Sequence, residues 1–331
     1  MISELFNIEK EPKKGLMAFE WVVLAYIAFT FVIMLFCSTK LVNPQAMLWE
    51  RLRALIIMAA LWGVYRLIPC RLTRLARVVV QLVMLGLWYP DTYEINRMFM
   101  NQDHLVASWD QSLFGCQPAL VFSQIMPWHW LSELFDMGYF SYYPMIGLTA
   151  LYYFFWRYRE FERASFVIIA AFFIYYVVFV FFPVVGPTFY YHAVGVDQIA
   201  KGIFPELGDY FSHHADCLPS PGDTNGIFYN LVEDAKAAGE RPTAAFPSSH
   251  IGISSILMLL VLHAKNYKLL CVLLPFYVFL CCATVYIQAH YLVDAFAGFV
   301  SAVVLYFFLM FVSKGLIDET VRDSHPKSRR I

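Results

Sequence analysis

Eight long runs of apolar residues constrain this chain more than any other feature. They fall near 17–38, 52–69, 78–95, 131–156, 164–183, 246–264, 268–288 and 291–313. About 20 apolar residues wound into a helix cover the roughly 30 Å of a bilayer's hydrocarbon, and each run approaches or passes that length. Only 15% of the residues are charged and 60% are hydrophobic, whereas a soluble domain carries about 25% charge. The chain therefore reads as an all-α, polytopic integral membrane bundle of about eight spans. The fourth run is the least regular, because Ser132, Glu133 and Asp136 interrupt its start. The first run is long enough to span and has no small-residue cleavage site after it, so no removable signal peptide is expected.

The basic residues sort the loops. Lys10, Lys13 and Lys14 precede the first run. Arg66, Arg71, Arg74 and Arg77 lie between the second and third, and Arg157, Arg159 and Arg163 between the fourth and fifth. Lys265 and Lys268 separate the sixth from the seventh, and Lys314, Lys327, Arg329 and Arg330 follow the last. With eight spans all five clusters share one side, which the positive-inside rule makes the cytoplasm, and both termini are cytoplasmic. The formal net charge of −1 gives no reason to expect nucleic acid as a partner. With no repeat and no low-complexity tract, residues 1–331 read as a single membrane domain. Residues 96–130, with Trp109, Trp128 and Trp130, suit a helix in the membrane interface. Residues 184–245 form a long polar loop on the non-cytoplasmic side, of a kind that tends to be functional. Of the seven cysteines, Cys116 and Cys217 both fall outside the spans, and a disulfide between them is weakly supported by spacing alone.

Two polar sets stand at the starts of apolar runs within 246–313, the expected catalytic helices: Pro247-Ser248-Ser249-His250, and His290 with Asp294. Ionisable groups at such depth are costly and mark function. Pro247 suits a helix start and Ser248 or Ser249 can cap it. The open N–H groups of such an end, with the two hydroxyls, would favour a phosphate. Asp294 lies one turn after His290, so it can hold one ring nitrogen and leave the other free to attack phosphorus. His250 would serve as the acid and base for the departing and arriving oxygens. The charge-derived topology puts both sets at one depth on the non-cytoplasmic face. His192, His213, His214 and His263 read as loop or surface residues. The chemistry asks for no cofactor and no metal.

At these residues the chain resembles the type 2 phosphatidic acid phosphatase superfamily, whose motifs are Lys-x6-Arg-Pro, Pro-Ser-Gly-His and Ser-Arg-x5-His-x3-Asp. The second is matched at Pro247–His250 with Ser249 in the glycine's place, and the third at His290 and Asp294. Ala283-Thr284 replaces the third motif's Ser-Arg. The first is poor: Arg241-Pro242 is present, but Lys236 is at the wrong spacing. The run Thr284–Asp294 is similar to the inositol phosphorylceramide synthase branch. Asp110–Gly115 and Phe182–Pro187 look like segments of that branch's bacterial relatives.

The resemblance implies a helical bundle, a phosphohistidine on His290, and a bacterial inner-membrane enzyme working on the periplasmic face. Its partners would be a phospholipid donor and a ceramide-like lipid alcohol. Ser248, Ser249 and Arg241 are the expected phosphate contacts. Fewer cations suit a singly charged phosphodiester better than a nearly dianionic monoester, which tilts the expectation to headgroup transfer. A lipid phosphate phosphatase using water, and an inactive transporter or scaffold that kept the fold, are the alternatives.

Overall fold

A computed structural model describes residues 5–10 and 12–317; Lys327, Arg329 and Arg330 lie outside the described residues. Among these, fourteen α-helices and one 3-10 turn make up the regular structure, and the only β-pairing is an isolated bridge between Ile8 and Cys70. Five helices are long and apolar enough to cross a membrane: α1 (Ala18–Cys37), α3 (Arg71–Asn96), α8 (Tyr158–Phe181), α13 (Tyr267–Tyr286) and α14 (Leu292–Leu316). They correspond to the first, third, fifth, seventh and eighth runs, and make this a membrane protein.

The other three runs are helical but fall short, each for a visible reason. The second becomes α2 (Pro44–Leu67), started by Asn43 accepting from the Ala46 N–H, and it carries Glu50, Arg51, Arg53 and Arg66. The fourth splits into α6 (His129–Phe140) and α7 (Tyr142–Trp156). Pro144 offers no N–H to Phe140, four residues back, and Ser141 turns its hydroxyl onto the Gly138 carbonyl at 2.6 Å. The sixth is α12 (Ser249–His263), only 15 residues long.

The polar segments hold more structure than loops. Residues 96–130 contain two helices, α4 (Asp103–Phe114) and α5 (Pro118–Ile125), where one was expected. Residues 184–245 contain α9 (Pro187–Val194), α10 (Val196–Ala200), a 3-10 turn at Tyr210–Ser212, and α11 (Ile227–Gly239). Cys116 and Cys217 are both free thiols, so the disulfide left open by the sequence is not formed.

The chain packs as two compact units. One holds the described residues up to Trp88, with 150–173 and 307–317. Tyr26 packs there against Trp88 and Phe173, with ring centroids 5.8 and 4.6 Å away. Three of its basic residues meet acidic partners. Arg77 is buried against Glu20, Lys13 meets Glu162 at 2.6 Å, and Arg74 lies 3.7 Å from both Glu9 and Glu162.

The other unit, 89–149 with 174–306, carries every residue of the expected site. In it α13 packs along α6 and α12, and α11 packs on α6. Gly138 lets α6 approach closely: a Cβ there would sit 2.5 Å from the Phe279 backbone.

Candidate functional site

The site is built where the turn 287–291, between α13 and α14, meets the start of α12. Ile287 closes α13 by donating to Ala283, and the His290 N–H returns to the Thr284 carbonyl at 2.9 Å. His290 therefore precedes α14 instead of lying on it, and the expected one-turn helical relation to Asp294 does not hold. Its Nδ1 donates to the Ala245 carbonyl at 2.8 Å and lies 3.6 Å from Asp294 Oδ2. A carbonyl only accepts, so Nδ1 carries the proton and Nε2 is left with its lone pair. Burial pushes the imidazole down to about 4, against the pull of the Ala245 carbonyl, so His290 is neutral at pH 7.

Asp294 is wholly buried in the first turn of α14. Its Oδ2 accepts from the Tyr291 N–H at 2.9 Å; its Oδ1 has no hydrogen-bond partner among the described residues. Asp294 therefore fixes the turn that carries His290, while a backbone carbonyl does the orienting that the sequence reading gave to the carboxylate.

His250 comes to the same place from α12. Its Nδ1 is 3.5 Å from His290 Nε2, and Tyr139 and Tyr142 flank its ring with centroids 4.7 and 4.6 Å away. The two aromatic faces fix the plane of the imidazole. Ser248 caps α12, accepting from the Ile251 N–H at 3.4 Å, but its own N–H is spent on the Asp294 carbonyl at 3.1 Å. The open helix end expected at Ser248 is therefore partly closed by α14. Gly298 makes that closeness workable, since a Cβ there would lie 2.5 Å from the Ser248 carbonyl oxygen. Ser249 stays partly exposed beside it. Arg241 is exposed and donates to the Glu240 carbonyl at 3.2 Å.

Two residues outside the expected site hold it together. Asp103 and Asp110 lie seven residues apart, on one face of α4, and both are fully buried. Asp110 accepts from the Leu292 and Val293 N–H groups at 2.9 and 2.8 Å, capping α14 from a distant helix. Burial pushes its carboxyl up to about 6 while those two donors pull the other way. Asp103 takes four donors: Val185 N at 2.7 Å and Asn101 Nδ2 at 2.6 Å on one oxygen, Gly186 N and the Tyr291 hydroxyl, both at 2.9 Å, on the other. Burial still drives its carboxyl above the usual range.

The Val184–Thr188 strip is the hub between these parts. The Val184 carbonyl accepts from Ala245 at 2.9 Å, and Thr188 donates to Gln288 at 2.9 Å. Gly186, at φ +93°, has the Ala289 carbonyl oxygen 2.6 Å from where a Cβ would stand, so only glycine fits.

Neutral His290 aims a lone pair at His250, whose ring two tyrosines flank, which suits nucleophilic attack with an acid–base partner at hand. No curated protein and no solved structure gives a significant match to the chain. The sequence model of the PAP2 superfamily matches residues 104–308, more than half of the chain and a stretch that includes His250, His290 and Asp294. The chain belongs to the PAP2 superfamily, and phosphatase or phosphotransferase activity on a lipid-like substrate goes with that membership.

Proposed function

We propose that the protein transfers a phospholipid headgroup, phosphoinositol above others, to the primary hydroxyl of a ceramide-like lipid, at the periplasmic face of a bacterial inner membrane. The observation that carries the chemistry is the facing pair, His290 Nε2 and His250 Nδ1, 3.5 Å apart. In the first step Nε2 attacks phosphorus and the bond from phosphorus to the diacylglycerol oxygen breaks. Burial and the neighbouring His290 hold the His250 ring down to about 3; the negative charge of a bound phosphate raises it, and the ring protonated in that complex gives its proton to the departing oxygen. In the second step the lipid alcohol attacks phosphorus, the bond to Nε2 breaks, and His250 takes the alcohol's proton back. The Ala245 carbonyl favours the Nδ1–H tautomer throughout. Ser249, and the remaining N–H groups at the start of α12, are the proposed phosphate contacts.

The choice of a diester over a monoester rests on charge. The polar partners of the two histidines are a backbone carbonyl, a carboxylate and each other. Arg241, the cation nearest in sequence to Pro247–His250, is turned to solvent. A singly charged phosphodiester needs less cationic support than a monoester. The orientation is the one that eight crossings give, and it requires α2, the α6–α7 pair and α12 to cross along with the five long helices, so that the Lys and Arg clusters share one side.

The test supplies purified protein with labelled phosphatidylinositol, with and without ceramide. Label arriving on ceramide is the expected result, and His290→Ala should abolish it. Hydrolysis of phosphatidic acid with no transfer would overturn the reading in favour of a phosphatase, and full activity in His290→Ala would overturn the mechanism.

A further inference from the structure

His250 is mounted in an unexpected way for a group that gives and takes a proton. It stands in the first turn of α12, where the positive end of a helix disfavours an imidazolium. Burial and the nearby His290 disfavour it as well. Among the described residues its one polar contact is His290, 3.5 Å from Nδ1. The titratable groups of the other packed elements act elsewhere. Asp294 of α14 lies 3.6 Å from the far nitrogen of His290. Tyr175 of α8 meets Ser301 at 2.9 Å, and Tyr277 of α13 meets Ser255 at 2.8 Å. Glu240, after α11, acts on Tyr139 and not on the imidazole.

Two ring faces pack on the imidazole instead. Tyr139 stacks on it at 4.7 Å and 27°, and Tyr142 lies 4.6 Å away at 47°. They come from the two sides of the break in the fourth run. Tyr139 belongs to the last turn of α6, and Tyr142 is the first residue of α7. The break is itself held in place. Gly138 lets α6 close on the Phe279 backbone, and the Ser141 hydroxyl donates to the Gly138 carbonyl at 2.6 Å.

We propose, on the reading of His250 as acid and base, that Tyr139 and Tyr142 are positioning residues whose ring faces hold the proton on His250, in the place a carboxylate would take. The negative face of an aromatic ring attracts a cation within about 6 Å of its centroid, and more strongly where water is excluded. A neutral imidazole gains less from the same faces, so the pair favours the charged form. Each face should raise the proton affinity of the ring about tenfold, on top of what a bound phosphate does. Neither tyrosine forms a bond in the reaction. The proton passes from His250 to the departing oxygen and returns from the alcohol, while the same faces hold the ring in both states.

The experiment follows kcat against pH for transfer from phosphatidylinositol to ceramide. The alkaline limb of that profile reports loss of the His250 proton in the substrate complex. Tyr139→Leu and Tyr142→Leu keep apolar bulk and remove the face. Each should move the limb down by about one pH unit and lower kcat about tenfold above it, with KM within about twofold. Tyr139→Phe and Tyr142→Phe return the face without the hydroxyl and should put the limb back. An unmoved limb in the folded leucine variants overturns the proposal, whatever happens to kcat, because a merely structural role lowers kcat without moving it. A phenylalanine variant that shifts as far as its leucine counterpart overturns it too, since the hydroxyl would then be the working group. Tyr139 is only partly buried, so Tyr139→Leu decides the matter if Tyr142→Leu does not fold. If phosphatidic acid is hydrolysed and no transfer is seen, the transfer reading fails, and the same limb measured on that hydrolysis decides the role of the tyrosines. If neither reaction occurs, the acid–base reading fails and the proposal falls with it.

Discussion

Replacing Asp103 by Asn probes how the site is held. The carboxylate now receives four donors, two per oxygen. Asparagine keeps one oxygen and turns an NH2 toward two of the donors, so two hydrogen bonds become donor–donor contacts, or one where the Tyr291 hydroxyl reverses to accept. Two charge-assisted bonds at roughly 1.5–3 kcal/mol each set an upper limit near 6 kcal/mol. Removing a charge whose burial is itself unfavourable offsets part of this. The expected net loss is about 2–4 kcal/mol, a large share of the 5–15 kcal/mol that holds a typical domain together. Tyr291→Phe removes one of the four donors and leaves the carboxylate three, so it should cost only about 1 kcal/mol.

Catalysis should fall as well. The Asp103 donors Val185 and Gly186 adjoin Val184, whose carbonyl fixes Ala245, and Ala245 in turn fixes His290. A displacement at that atom should lower kcat at least tenfold with KM little changed. Unfolding in detergent, followed by circular dichroism, and turnover on the lipid substrate would be measured for both variants. If Asp103→Asn lies within 0.5 kcal/mol of wild type and turns over normally, or if Tyr291→Phe costs as much, the clamp is not what positions the histidine.

Three further outcomes follow from the geometry. Asp110→Ala strips α14 of its remote cap and should cost about 1–2 kcal/mol; Asp110→Asn, keeping one acceptor, should cost less, and equal costs would argue against capping. His290 is held at about 4 in the fold against an ordinary 6.5. The unfolded chain therefore binds the extra proton as pH falls through that window, and stability drops on acidification. His290→Gln should shrink that drop by about 3 kcal/mol between pH 6.5 and 4, read as the difference between the two proteins' unfolding free energies; parallel pH profiles would contradict it. Gly298→Ala places a Cβ 2.5 Å from backbone at Ser248, whereas Gly252→Ala meets the movable end of Tyr175 at 2.0 Å. The first should destabilise the protein by at least 1 kcal/mol more than the second, and in double-mutant cycles Tyr175→Ala, which removes the ring carbons at 2.4 and 2.9 Å as well as the hydroxyl, should relieve only the second.

What the sequence disclosed was governed by locality. Hydropathy marks α1, α3, α8, α13 and α14 because a span's apolar length is a property of consecutive residues. It misjudged the fourth run because apolar content continues across Ser141 while the backbone, lacking an N–H at Pro144, does not. His250 and His290 were legible as motifs, and the fold places their rings 3.5 Å apart at the facing nitrogens. Asp103 and Asp110 were not read as a pair, since all their partners but Asn101 lie 82 to 188 residues away. The available signal was two aspartates seven apart on a helix otherwise rich in apolar residues. The role of Ala245 had no signal, because the working atom is a backbone carbonyl that every residue type provides.

That last contact changes what scanning mutagenesis can see. Any side chain at position 245 leaves its carbonyl in place, so an alanine or serine library across 241–247 would pass over the atom that sets His290's proton. A deletion or insertion of a single residue in that stretch would not, since it moves the carbonyl by roughly 3.8 Å along the chain. The histidine's protonation is thus written into the length of a connecting segment and not into its chemistry. Segment length, more than composition, is what an engineered variant of this protein must preserve there.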